Sequence, residues 1–283
     1  MKRRIVISTV GYHARETFRR LKIDSSAEVI CFTDNDNQLW GDQIFGYPIV
    51  DPREINRYEF DVVAVPGRHQ SDIIKQLQDF GVPHSKIWRV SKSEIRQTKA
   101  ALSRRAELLN AILNPAIQLL NDNTIPYFAT NSFLLSIVRG DHPASFADLD
   151  ILYEINYGET IKNEMISRFP SEDITIIQDN TDESVKKMII QKGSLVDPIC
   201  DPAVIDLHPL TMGSDFAFWT ANQRVKKIPI HFFKTQKFQH VNGLDISIPN
   251  NAEDLLTLYY GNDWQEPHEY WDGIFDFERN TLF

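Results

Sequence analysis

The feature that most restricts the fold is a regular alternation of two periodicities across the first ninety residues. Short apolar runs rich in β-branched residues stand at 4–10, 28–33 and 61–65. Helix-length amphipathic stretches follow two of them, at 14–22 and 71–80. A continuous apolar run suits a strand buried on both faces, and such strands joined through helices form parallel βαβ units. Residues 1–91 are therefore expected to form a small α/β domain around a parallel sheet.

The texture then changes twice. Residues 93–121 read as one long helix, with Leu102, Leu109, Ile112, Leu113, Ile117 and Leu120 mostly on one face. Pro115 is expected to kink or split it. This segment, taken as 92–122, is expected to be a helical connector between domains. From 123 onward short strands and helices mix as α+β, with strands expected at 125–129, 148–153, 174–178, 185–191 and 203–207 and helices at 133–139, 160–169 and 252–260. The domain plan is 1–91, 92–122 and 123–283, a fold class of α/β plus α+β.

Composition narrows the function. The net charge is −9, from 39 acidic and 30 basic residues, which disfavours a protein that holds a long nucleic acid through its phosphates. No apolar run approaches the roughly 20 residues that span a bilayer, and the apolar stretch after Lys2–Arg4 is too short for a secretory signal. Cys31 and Cys200 are too few for a disulfide scaffold. A cytoplasmic protein is expected, with Lys226 and Lys227 on its surface.

The chemistry concentrates at Asp148-Leu149-Asp150-Ile151. On a strand, residues two apart project to one side, so both carboxylates would face one cleft. Two like charges held together are unfavourable unless a cation joins them, and Mg²⁺ (or Mn²⁺) is the natural candidate. Further on, Val204-Ile205-Asp206-Leu207-His208 sets one carboxylate inside an apolar strand. A buried lone Asp needs a partner, so Asp206 is expected to be the third metal-facing carboxylate. His208 shares its face and is expected to line the site as acid, base or ligand. Upstream, Asn131 and Ser132 open a helix that ends at Arg139. Backbone N–H groups at a helix N-terminus favour phosphate. Phosphate site, helix, acidic strand and second acidic strand, in that order, are the plan of a nucleotidyltransferase fold. The like-charge pair further predicts that Asp150→Asn leaves thermal stability level or raises it.

The second half resembles the LicD/fukutin-type phosphotransferases over residues 123–268. Four motifs carry the resemblance. They are Ser132-Phe133-Leu134-Leu135-Ser136-Ile137-Val138-Arg139; Asp148-Leu149-Asp150; Ile205-Asp206-Leu207-His208-Pro209-Leu210; and Ile248-Pro249-Asn250 with Tyr259-Tyr260-Gly261, Trp264 and Pro267. Ser132 and Ser136 stand where that family usually has glycines. The first domain resembles the Rossmann-like domain that opens sugar-modifying acyltransferases, through residues 11–16, 33–36, 46–49 and 60–63. Its loop keeps only Gly11 of the three glycines of a dinucleotide fingerprint, so NAD is not expected there.

The resemblance implies a phosphotransferase. A CDP-linked alcohol, or another nucleotide-activated small molecule, would donate a phospho-alcohol to a glycan or sugar acceptor. Asp148, Asp150 and Asp206 would hold the metal, and Asn131, Ser132, Arg139 and His208 would bind substrate. Two alternatives stand beside it: a nucleotidyltransferase that leaves NMP on its acceptor, and a non-catalytic nucleotide-sugar binding or regulatory protein on a decayed transferase scaffold.

Overall fold

The computed structural model describes residues 2–24, 27–178, 185–221 and 224–270; the aromatic, acidic tail beyond 270 lies outside them. The chain divides into two compact units. The first takes 2–101, Ser194–Asp201 and 267–270; the second takes Leu102–Gly193 and Pro202–Glu266.

The first unit is α/β. Its strands are β1 (Arg3–Ser8), β2 (Ala27–Thr33), β3 (Gln43–Ile44), β4 (Tyr47–Val50), β5 (Val62–Val65) and β6 (Ile87–Arg89), in the order β3-β4-β2-β1-β5-β6. All neighbours pair in parallel except β3 with β4. Helices α1 (Tyr12–Ile23) and α2 (Gln70–Asp79) supply crossovers. Val6, Cys31, Val63, Val65, Leu77 and Val82 share one core cluster, which is why the strand segments read as unbroken apolar runs. Burial pushes the Cys31 thiol up to about 12. Both carboxylate oxygens of Asp34 are taken up in shaping the loops, accepting the Val10 and Asp36 N–H groups at 3.0 Å each.

An ion cluster lies within this unit. Asp201 is 2% exposed and accepts from Arg15 through Nε and Nη2 and from Arg19 through Nη1. Arg19 also pairs with Glu16 at 2.8 Å and donates to the carbonyls of Leu195 and Asp197. The 194–201 segment is thereby fastened to α1.

The second unit is α+β. Helix α3 (Lys99–Asp122) runs 24 residues with Pro115 inside it, so the proline does not split it. Its start falls later than the pattern suggests, because residues 91–94 form a turn in which Glu94 accepts the Ser91 N–H at 2.7 Å. Then come β7 (Tyr127–Thr130), α4 (Asn131–Arg139), β8 (Leu149–Glu154), α5 (Gly158–Arg168), β9 (Ile174–Gln178), β10 (Val185–Lys192) and β11 (Ala203–Met212). The chain continues through β12 (Phe216–Ala221), β13 (Arg224–Pro229), β14 (Gln236–Val241), β15 (Leu244–Pro249) and α6 (Ala252–Tyr260). Among the described residues β7 to β13 build one mixed sheet. β8 is parallel to β11 and antiparallel to β7, while β10 is antiparallel to both β11 and β9. β14 and β15 form a separate hairpin.

Tyr127, Tyr153 and Tyr259 are among the largest fully buried side chains of this unit. Trp264 is buried too, its Nε1 donating to Thr257 Oγ1 at 3.1 Å. One surface expectation is corrected: Lys226 is 5% exposed, because its alternate position on β13 turns inward while Lys227 lies over the Phe216 ring at 4.1 Å. No helix among the described residues is long and apolar enough to cross a membrane.

Candidate active site

Register places the acidic residues. Asp150 on β8 pairs with Asp206 on β11, Thr130 at the end of β7 pairs with Asp150, and Ile189 on β10 pairs with Asp206. Directly opposite residues point to one face, so Thr130, Asp150, Asp206 and Ile189 form a row across the sheet. His208, two residues beyond Asp206, shares that face. Asp150, Asp206 and His208 each offer a ligand atom, and these atoms all lie within 4.8 Å of one another.

The three groups are buried, at 8%, 6% and 4% exposure. His208 Nε2 lies 3.1 Å from Asp150 Oδ1, and its ring meets the Trp219 ring edge-on at 5.0 Å. Asn131 Nδ2 donates to Asp150 Oδ2 at 3.1 Å. Lys187 on β10 pairs with Asp206 Oδ2, whereas Asp206 Oδ1 is buried without a hydrogen-bond partner.

The two facing carboxyls are pushed apart. Burial opposes ionisation of Asp150, but the hydrogen bond and charge of His208, aided by Asn131 and Lys187, outweigh it and hold the group below its usual value. Burial, then the charge of Asp150, raises Asp206 despite Lys187 and His208. Such a split is how one site provides both a fixed anion and a proton acceptor.

A strand-to-helix turn brings α4 to this edge. Thr130 is extended and Asn131 takes a left-handed φ of 47°, a conformation that asparagine adopts more readily than most residues. That turn sets the Asn131 amide on Asp150, and Ser132 Oγ donates to the backbone carbonyl of Asp148 at 3.0 Å. The N-terminus of α4, where backbone N–H groups lack helical acceptors, is thus braced against the acidic strand.

Asp148 sits one residue before β8 and is not in the three-residue ligand group. Arg139 lies at the other end of α4, about 12 Å along the axis. Its guanidinium donates to the Trp264 and Glu266 carbonyls, and burial lowers its pKa. The structure therefore gathers Asp150, Asp206, His208 and Asn131, and uses Ser132 and Arg139 in backbone contacts.

Lys187 and Trp219 escaped the sequence reading. Lys187 belongs to Val185-Lys186-Lys187-Met188, where only strand register tells which lysine faces Asp206. Trp219 lies on β12, and nothing local in the sequence ties it to His208.

The donor set suits a divalent cation. Two carboxylates and an imidazole lie close together, and the unpartnered Asp206 oxygen is a buried acceptor that a cation would satisfy.

Residues 1–88 match the model of a family described as C2185-like, N-terminal. No curated protein matches the chain. Solved structures with some likeness include the lincosamide antibiotic adenylyltransferase LnuA bound to lincomycin, at 13% identity and TM-score 0.37, covering 65% of this chain and 97% of that one. The antibiotic-resistance factor ANT(2'')-Ia is 8% identical with TM-score 0.34, covering 63% and 82%. A Gfo/Idh/MocA family oxidoreductase from Vibrio cholerae is 11% identical with TM-score 0.26, covering 88% and 82%. Scores this low do not establish a shared fold; the geometry above stands independently of them.

Proposed function

We propose that the chain is a metal-dependent phosphotransferase that moves a phospho-alcohol from a CDP-activated donor to a hydroxyl of a glycan or its precursor. One observation carries the reading: two facing carboxylates, an imidazole and a helix N-terminus meet on one face of the sheet. The order of the four motifs in the sequence supports the phosphotransferase form of it.

Asp150 and Asp206 would hold the ion, with Asp148 adding a carboxylate at the lead-in to the same strand and His208 lining the site beside them. A divalent ion supplies charge neutralisation on the phosphate oxygens during in-line displacement. The first backbone N–H groups of α4 hold the donor phosphate, with Asn131 and Ser132 fixing the turn that aims them. Asp206, beside the ion, would lower the cost of deprotonating the acceptor hydroxyl as the new P–O bond forms and the bond to CMP breaks. Arg139 acts indirectly, pinning the 264–266 segment.

The test is incubation of the full chain with Mg²⁺ or Mn²⁺, a panel of CDP-alcohols or nucleoside triphosphates, and sugar acceptors. CMP release with a phosphodiester product is expected. Pyrophosphate release instead identifies nucleotidyl transfer, and nucleotide binding with neither product identifies a non-catalytic binding protein.

A further inference from the structure

We infer that His208 is itself a ligand of the ion, and that the site therefore selects an ion accepting imidazole nitrogen, Mn²⁺ above Mg²⁺. This rests on the reading that an ion occupies the site and goes further by naming the nitrogen donor and the resulting ion preference.

A nitrogen 3.1 Å from a carboxylate oxygen, as His208 Nε2 is from Asp150 Oδ1, fits two arrangements. One is a plain hydrogen bond. The other is an edge of a coordination sphere, because two donors each about 2.1 Å from an ion and at right angles to it are about 3.0 Å apart. The neighbouring carboxylate separates the two. A plain hydrogen bond between His208 and Asp150 leaves Asp206 Oδ1 buried without a donor, a costly state for a carboxylate oxygen. One cation within reach of all three groups satisfies Asp206 and converts the 3.1 Å contact into a ligand edge, with little movement of the strands.

The fold positions this ring by burial and packing, since His208 Nδ1 has no hydrogen-bond partner among the described residues. His208 is 4% exposed, stands on the same strand as Asp206, and has Trp219 against its ring. The usual order of preference follows from donor chemistry. Mg²⁺ favours an all-oxygen octahedron with retained water, whereas first-row transition ions take up nitrogen donors with an affinity that starts at Mn²⁺ and rises along the row.

The experiment uses the full chain stripped with chelator and titrated with Mn²⁺, followed by electron paramagnetic resonance and electron spin echo modulation. The expected result is Mn²⁺ binding at least about tenfold tighter than Mg²⁺, with nitrogen-14 modulation from a directly bound imidazole. In His208→Gln the modulation disappears, and Mn²⁺ affinity falls by roughly tenfold or more, the scale already seen when a ligand's supporting partner is lost. The native spectrum alone decides the matter should the variant fail to fold. Mn²⁺ bound with oxygen ligands only, equal affinity for Mg²⁺ and Mn²⁺, or no Mn²⁺ binding would each overturn the inference. Donor turnover measured on the same samples keeps the two readings apart: turnover without nitrogen coupling defeats the ligand assignment alone, and nitrogen coupling without turnover defeats the proposed reaction alone.

Discussion

Asp150 and Asp206 face each other across the parallel pairing of β8 and β11, yet one is held below and the other above its usual pKa. The difference lies in their partners. Asp150 has His208 and Asn131, while Asp206 has Lys187 at one oxygen and nothing at the other.

The like-charge argument from sequence put relief of repulsion at Asp150; the contacts move it to Asp206. Asp206→Asn is expected to leave the melting temperature unchanged or raise it. Asp150→Asn is expected to lower stability by about 1–3 kcal/mol, since His208 loses its charged acceptor in a buried setting. Both should abolish transfer. Thermal melts of the metal-free variants check the ranking, and the reverse order would show that the contacts have been misassigned.

Lys187 competes for the charge that an ion would meet. Two unit charges 4 Å apart near a protein surface interact by about 4 kcal/mol, so removing even a third of that is about tenfold in affinity. Lys187→Met is accordingly expected to tighten Mn²⁺ binding about tenfold, read from the unbound Mn²⁺ resonance signal. Unchanged affinity would mean that the ammonium swings clear when the ion arrives.

These contacts mark the boundary of what is legible in the chain. Strands β1, β2 and β5 are readable because each is a run of buried aliphatic residues, and Asp206 stands out because it interrupts such a run. The 214–249 region carried no such signal: in β14, Gln236 to His240 are all exposed, so the period-two contrast is missing. Strands β3 and β4 have two and four residues, too few to show a period. The Asp-x-Asp argument assumed both carboxylates within a strand; the strand begins at Leu149, which puts Asp150 in the row and Asp148 in its lead-in. Lys187 depends on pairing between distant strands and has no local signature.

The Asp201 cluster gives a stability prediction in the first unit. Asp201→Ala leaves the buried Arg19 and the half-buried Arg15 with Glu16 as the remaining carboxylate of the cluster. Removing one partner of a buried ion pair costs about 3–5 kcal/mol. The exposed pair Arg57–Glu54, whose side chains are 74% and 45% exposed, serves as the control, and Glu54→Ala is expected to cost no more than about 1 kcal/mol. Urea unfolding of the full chain compares them, and equal losses would mean that the Asp201 cluster is not sealed from solvent.

His13 gives the first unit a pH dependence. Its ring is lodged against Gly67, where an added Cβ would meet His13 Nδ1 at 2.9 Å. Burial, reinforced by the charges of Arg68, Lys92 and Arg15, lowers its pKa to about 3. The unfolded chain has an ordinary histidine near 6.5. Below that pH the unfolded state takes up a proton that the folded state refuses, so stability falls as pH drops from 6.5 towards 3 and is complete above 6.5. The slope from this one group reaches about 1.4 kcal/mol per pH unit, or about 2 kcal/mol between pH 6.5 and 5. Carboxylates also contribute in acid, so the readout is the difference between native chain and His13→Asn, which lacks the titrating ring. Urea midpoints measured from pH 7.5 to 5 should converge as pH falls, the native chain losing stability faster than the variant. Parallel curves would show that His13 is protonated in the folded state and is not the neutral, enclosed ring described.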